Sequence, residues 1–96
     1  MAYQEIVVRA KDWSINLEDA YYAEHPDELL QAALEAVIGT SPGCYVNLVT
    51  PEELGHPEAS FNGLLKQQLA AQNIPVKEIR YIDECGCGGH VTRVFR

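Results

Sequence analysis

The most reactive residue types of the chain gather in one short segment near its C-terminal end. Residues 84–90 read Glu-Cys-Gly-Cys-Gly-Gly-His, and they contain two of the three cysteines and three of the seven glycines. Thiolates are nucleophiles and metal ligands, and glycine adopts the backbone conformations that tight connections need. We therefore expect residues 84–90 to form the functional loop of the protein, and the remaining chain to position it.

One chemistry that this segment predicts is metal binding. Cys85, Cys87 and His90 are thiolate and imidazole ligands of the kind that zinc and iron take, and His56 or His25 would complete a tetrahedron. The expected cofactor is then zinc or iron. A single residue separates the two cysteines, whereas zinc knuckles usually place two to four residues there, so the spacing gives moderate support.

A second chemistry is reversible disulfide formation between Cys85 and Cys87. A one-residue spacer closes a strained ring, and strained disulfides are more readily reduced. Arg93 and His90 could lower the pKa of either thiol and so favour the reactive thiolate. The purely structural alternative is a glycine-rich hairpin whose cysteines pack as small hydrophobes. Five small residues in a row bury little surface, so packing alone explains the segment poorly.

The composition is that of an ordinary soluble domain. The 96 residues are 47% hydrophobic and 22% charged, which predicts a single folded domain over 1–96, with 1–11 as an edge strand or a loose N-terminus. No apolar run approaches the roughly 20 residues of a membrane helix, and Met1–Glu5 lacks the features of a signal peptide. We therefore expect a cytoplasmic protein without a disulfide framework.

The net charge of −7 is unevenly distributed along the chain. Residues 1–76 carry eleven acids against three bases, whereas residues 77–96 carry three acids against four bases. An acidic body repels phosphate backbones, which argues against nucleic acid as a partner. A domain of this size hides only about 60–70% of its unfolded surface, so a homodimer would bury more.

Apolar periodicity and turn residues predict the elements that hold the loop. An amphipathic helix should run from Pro26 to a C-cap at Gly39, a short helical turn should follow Thr50, and a second helix should run from Pro57 to about Asn73. The remaining chain is expected to form a polar loop over 18–24 and strands over 3–8, 13–17, 45–50, 76–82 and 90–95.

A weak internal repeat indicates how these elements are arranged. Ile15-Asn16-Leu17 precedes His25-Pro26, and Val46-Asn47-Leu48 precedes His56-Pro57 at the same offset of 31 residues. Two strand–loop–helix units of this kind are typical of tandem βα units. We predict a small two-layer α/β sandwich in the order β-α-β-α-β-β, with both helices on one face of a mainly parallel sheet that ends in a C-terminal hairpin.

In this fold the loops that leave the first three strands share one sheet edge, where α/β proteins usually bind ligands. That edge would gather His25, His56 and the loop at 84–90, whereas Cys44 would lie at the opposite edge and outside any site. Each of the two histidines also precedes a helix start, so a local structural role is the simpler interpretation for both. No phosphate loop, nucleophile elbow or other strong catalytic motif occurs, which argues against an enzyme.

The C-terminal segment also has a family resemblance. Cys85-Gly86-Cys87-Gly88-Gly89-His90-Val91-Thr92-Arg93-Val94 resembles the signature of the CGCGG family of small prokaryotic proteins. Trp13-Ser14-Ile15-Asn16-Leu17-Glu18 and Tyr45-Val46-Asn47-Leu48-Val49-Thr50 also look like that family's pattern, so the resemblance spans about Asp12 to Arg96. The family is described as ribosomally made peptides, or RiPP precursors, that a radical-SAM enzyme modifies.

The resemblance implies that this protein is the substrate of a radical-SAM maturase and not itself an enzyme. Glycine offers an unhindered Cα–H whose radical the flanking amides stabilise, and a cysteine sulfur next to it could close a thioether. A thiol-redox or metal-binding protein that uses Cys85, Cys87 and His90, helped by His56, is the alternative. The implied modification or thiol site comprises Cys85, Gly86, Cys87, Gly88 and Gly89.

Overall fold

The computed structural model describes residues 8–84 and 89–96. Within these residues the chain forms four strands and three helices in the order β-α-α-β-α-β-β, and two 3-10 turns, at Glu52–Leu54 and Pro57–Ala59, join the second strand to the third helix. The strands are β1 (Trp13–Asn16), β2 (Tyr45–Thr50), β3 (Glu78–Glu84) and β4 (His90–Phe95), and the helices are α1 (Ala20–Glu24), α2 (Pro26–Ile38) and α3 (Phe61–Ala71).

The strands form one sheet in the order β1-β2-β4-β3. Strand β1 pairs with β2 in parallel, with Ile15 opposite Leu48. Strand β4 is antiparallel to both of its neighbours, so β1, β2 and β3 run in the same direction. The chain segments that leave these three strands therefore emerge at one edge of the sheet, as the sequence predicts.

The prediction of a mainly parallel sheet in the simple order β-α-β-α-β-β is wrong, because the sheet is mixed and the chain forms an additional helix between the first two strands. The returning strand of the C-terminal hairpin inserts between β2 and β3 and does not take the outside position. Strand β3 carries Glu78, Arg80, Asp83 and Glu84, and charged strands are typical of sheet edges because they resist pairing with other chains. Strand β4 alternates buried and half-buried residues, which suits a strand with a neighbour on both sides.

The core lies between the helices and one face of the sheet. Val46 and Leu48 of β2 and Val94 of β4 are fully buried, and they form one cluster with the buried side chains of α2 and α3. The alternate residues of these strands are half-buried or exposed and form the second face of the sheet. The buried helical residues are Leu29, Ala33, Leu34, Ala36, Val37, Leu65 and Leu69.

The first long helix follows the sequence signals closely. Pro26 stands at its first position, where a missing N–H costs nothing, and Asp27 and Glu28 lie in the first turn, where the helix dipole favours acids. Helix α2 ends at Ile38 with Gly39 as the C-cap, as predicted. The polar segment 18–24, predicted as a loop, instead contains α1, because the Asp19 side chain accepts a hydrogen bond from the Tyr21 N–H and caps a helical turn.

The other boundaries differ by a few residues. The segment from Pro57 begins as a 3-10 turn, and α3 starts only at Phe61. Strand β3 begins two residues later than predicted, at Glu78, where it first meets Phe95 of β4. The strand predicted over 3–8 lies almost wholly outside the described residues; Val8, its last residue, is exposed and not in a strand. No helix within 8–84 and 89–96 is long and apolar enough to span a membrane.

Gly63 gives a direct test of the helix assignment. It lies inside α3, and a Cβ added to it would meet no atom within 4 Å. Glycine costs a helix about 1 kcal/mol relative to alanine, because more backbone entropy is lost on folding. We expect Gly63→Ala to raise the free energy of unfolding by about 0.5–1 kcal/mol in urea titrations; a lower value would contradict a helix with free space at this position.

Candidate functional site

The predicted functional loop connects the end of β3 to the start of β4. Cys85, Gly86, Cys87 and Gly88 lie outside the described residues, so the structure describes only the two ends of the loop. At these ends Glu84 pairs with His90, and His90 pairs on its other side with Thr50 of β2. The loop is therefore attached at the edge where β1, β2 and β3 end.

The C-terminal end of the loop is tightly packed. Gly89 is buried, and a Cβ at this position would lie 2.7 Å from the Thr50 carbonyl oxygen and 2.6 Å from Cδ of Glu18. Real Cβ atoms essentially never approach so closely, so only glycine fits there without movement of its neighbours. Glu18 follows β1, and its backbone N–H donates to Oδ1 of Asn16 at 2.8 Å. Residues from the ends of β1 and β2 thus enclose Gly89.

Next to Gly89, three aromatic rings form a cluster: His56, Tyr81 and His90, here called the His–Tyr–His cluster. The ring centroids lie 4.2 Å apart for His56 and Tyr81, and 5.0 Å apart for His56 and His90. The Tyr81 hydroxyl is 2.9 Å from Nδ1 of His90, within hydrogen-bond distance. His90 is only 8% exposed, and its carbonyl oxygen accepts a hydrogen bond from the Thr50 hydroxyl at 3.4 Å. The cluster links the 51–60 connection to the end of the loop.

The environment of the cluster is acidic. Partial desolvation raises the pKa of Tyr81 above its ordinary value, and the carboxylates of Glu84, Asp83 and Glu58 raise it further. Tyr81 therefore stays a neutral hydroxyl at physiological pH and can act as a hydrogen-bond donor or acceptor toward His90. A second acidic area adjoins the loop, since Glu18, Glu52 and Glu53 line a shallow groove of about 400 Å³.

His56 also has a local structural role. Its Nδ1 accepts a hydrogen bond from the Glu58 backbone N–H at 3.2 Å, which caps the 3-10 turn at Pro57–Ala59. In a neutral imidazole whose Nδ1 is the acceptor, the proton is on Nε2. A metal ion could therefore use His56 only if the cap were broken or the Nε2 proton lost, because Nδ1 accepts from the Glu58 N–H and Nε2 carries the proton in this tautomer.

The structure brings some of the predicted metal ligands together and separates others. His56 and His90 are in ring contact, as the metal hypothesis requires. His25 instead stacks on Tyr21 at 4.3 Å and bonds through Nδ1 to the Tyr21 carbonyl oxygen at 2.8 Å. Over 8–84 and 89–96 no group of three His, Cys, Asp or Glu side chains is placed to hold a metal ion. The four-ligand site with Cys85 and Cys87 therefore stays a prediction.

Cys44 lies far from the loop along the sheet. It precedes β2, and its carbonyl oxygen accepts from the Arg96 N–H at 2.9 Å, at the edge opposite to Thr50 and His90. Among the described residues it is the free cysteine.

Sequence analysis missed two residues of this site, Tyr81 and Glu18. The sequence predicts Tyr81 only as a strand residue; it lies on the same face of β3 as Ile79, which packs against the core. Glu18 directly follows the strand predicted over 13–17, so the rule that strand ends share one edge already places it near the loop. Its contact with Gly89 could not be predicted, because it depends on the register between β1, β2 and β4.

Comparison with known proteins assigns the chain to a family. The sequence model of a family described as "Putative radical SAM target protein" matches residues 4–96. The chain belongs to this family. No curated protein and no solved structure matches it. The match covers nearly the whole chain, so the folded domain and the loop both belong to the radical SAM target pattern. The family resemblance inferred from the C-terminal signature is thereby confirmed.

The close packing around Gly89 predicts that even a small side chain at this position destabilises the fold. We expect Gly89→Ala to lower the free energy of unfolding by about 1–3 kcal/mol, because the new methyl group must displace Glu18 and the Thr50 backbone. Urea titration measures the change. Gly63→Ala is the matched control, since the same substitution at an open position should have the opposite sign. Equal stabilities for the two variants would contradict the packing at Gly89.

Proposed function

We propose that this radical SAM target protein is a non-enzymatic substrate whose loop, Cys85 to Gly89, is modified by a radical-SAM maturase. The observation that carries the proposal is the family match over residues 4–96. Two structural features support it. The loop joins two paired strands at the edge where three strands end, and its C-terminal end is enclosed by the ends of β1 and β2. Such a domain would present a reactive loop at a defined position.

The modification is a thioether bond between a cysteine sulfur and a glycine Cα. The maturase cleaves S-adenosylmethionine with one electron, and the resulting deoxyadenosyl radical removes a hydrogen atom from the glycine Cα. The thiolate sulfur then bonds to the carbon radical, and the surplus electron returns to an iron–sulfur cluster of the maturase. The protein loses two hydrogen atoms in all, one from Cα and one from the thiol, and S-adenosylmethionine is the net oxidant.

The packing of the loop's C-terminal end favours particular acceptors. A sulfur on Gly89 Cα, on the side that an L side chain takes, would occupy the space where even a Cβ meets Glu18 and the Thr50 carbonyl oxygen. Gly86 and Gly88 are therefore the preferred acceptors, with Cys85 and Cys87 as the sulfur donors. On this proposal Gly89 allows the C-terminal end of the loop to pack against the sheet and is not the carbon that forms the thioether.

The intact mass of the protein after co-expression with the radical-SAM maturase tests the proposal. We expect a loss of two hydrogen masses that survives reductant, and its disappearance in Cys87→Ser or Gly88→Ala. Cys44→Ser is the matched control, because it removes a thiol at the opposite edge and should leave the mass loss in place. A loss that reductant reverses would mean a Cys85–Cys87 disulfide, and an unaltered mass would sink the proposal.

A second candidate function, metal binding, is favoured by the contact between His56 and His90. Cys85 and Cys87 would add two thiolates beside these rings and complete a four-ligand zinc or iron site. When the Tyr81 hydroxyl oxygen accepts a hydrogen bond from the Nδ1–H of His90, Nε2 of His90 is free to coordinate, which is the usual arrangement of a metal-binding histidine and its outer partner.

Native and denaturing mass spectrometry, together with metal analysis, tests this alternative. Stoichiometric zinc or iron should be present in the native protein and lost in Cys85→Ser. His56→Asn should weaken the affinity by about 10- to 100-fold while the 3-10 turn persists, because asparagine also caps helical turns. His25→Asn is the matched control and should bind metal normally. A metal-free and fully folded native protein would reject the alternative.

A further inference from the structure

A groove of about 450 Å³ lies between helix α3 and the outer side of β3. Gly63 and Lys66 line it from the helix, and Lys77 and Ile79 line it from the start of the strand. Gly63 leaves its part of the wall open, since nothing lies within 4 Å of the position that a Cβ would take. We call this feature the α3–β3 groove. It is separate from the His–Tyr–His cluster, and the loop chemistry does not use it.

One side of the groove is an unpaired strand edge, whose charged side chains disfavour indiscriminate pairing and favour a segment of complementary charge. Within the described residues, β3 has β4 on one side and no strand on the other. Unpaired backbone N–H and C=O groups at such an edge bind extended chain segments as an additional strand. Helix α3 would cover one face of an added strand, so the groove offers backbone pairing and a side wall together.

The charges of the groove indicate what kind of segment fits. In a protein of net charge −7, two of its three lysines, Lys66 and Lys77, line this one groove. Neither ammonium group takes part in an ion pair with any residue that the structure describes. The groove also contains carboxylates, but Arg80 holds Glu78 at 2.8 and 3.0 Å, and Glu58 forms an ion pair with neither lysine in the described residues. The two lysines thus remain available to a carboxylate of a partner.

We propose that the α3–β3 groove is the docking site of the radical-SAM maturase, which adds an extended, acidic segment along the edge of β3. This inference rests on the proposed function. The geometry connects the groove to the loop, because β3 runs from the groove directly to Cys85. Ile79 is five residues before Glu84, the last residue of β3, about 17 Å at the usual rise per strand residue. Recognition and chemistry would therefore occupy separate parts of the protein, joined by strand β3.

Binding and modification by the purified maturase test the proposal. Gly63→Phe should fill the groove and weaken binding by on the order of tenfold or more, whereas Gly63→Ala should bind nearly as the wild type does. The double variant Lys66→Glu/Lys77→Glu should also weaken binding by at least about tenfold, with less effect at high salt. Lys11→Glu is the matched control, since it reverses the charge of the remaining lysine outside the groove. Thermal unfolding checks that each variant is folded.

The outcomes separate this proposal from the proposed function. If the wild type and all groove variants are bound and modified equally, the docking site is wrong and the substrate role stands. If the maturase does not modify the wild type, the substrate role itself fails, and the docking site with it. If light scattering shows a wild-type dimer that Gly63→Phe dissociates without changing maturase binding, a second copy occupies the groove and the docking proposal is overturned. Gly88→Ala should bind normally yet remain unmodified.

Discussion

Strand β4 pairs with β2 on one side and with β3 on the other, and the positions of the loop, the core and the free edge all depend on this double pairing. His90, its first residue, lies between Thr50 and Glu84, so the C-terminal end of the loop is held at the centre of the sheet. Its later residues Thr92 and Val94 are fully buried beneath the helices. The same pairing leaves the charged strand β3 at the outside, next to α3.

The two ends of the loop consequently have different environments. Gly89 is enclosed by Glu18 and the Thr50 backbone, whereas Glu84 is exposed at the end of an edge strand. A substrate of a modifying enzyme must offer reactive atoms and still remain folded, and this asymmetry serves both needs. The sheet holds one end of the loop, and the edge strand provides the approach to the other. On the proposed function, the folded domain would position the loop for the maturase.

His25 and His56 occupy similar sequence positions but differ in their tertiary contacts. His25 and His56 each precede a proline that begins a helical segment, and each takes part in a local hydrogen bond there. Only His56 also reaches the loop end, through its contacts with Tyr81 and His90. The local role was predictable from the His-Pro pattern, because proline is favoured at the first helical position. The contact with His90 depends on how the 51–60 connection crosses the sheet edge.

Several local structural features could be predicted from the sequence. The amphipathic pattern and the caps of α2, the alternation in β2 and β4, the shared edge at the ends of three strands and the family signature all follow from residue types and spacing. These features depend on neighbours within a few residues, where backbone propensity and periodicity decide the outcome. The short helix α1 was missed because a single cap at Asp19 outweighs an otherwise polar segment.

The order of the strands was decided only by tertiary structure. A hairpin between β3 and β4 is compatible with either strand next to β2, and the choice depends on which of them buries more apolar surface when paired on both sides. That choice places His90 beside Thr50, crowds Gly89 against Glu18 and leaves the α3–β3 groove beside a free edge. The sequence by itself therefore determined the candidate residues for the chemistry and the approximate positions of the strands and of the two longer helices. Only the packing of distant segments decided what surrounds these residues, because contacts between strands far apart in sequence cannot be predicted from a local residue pattern.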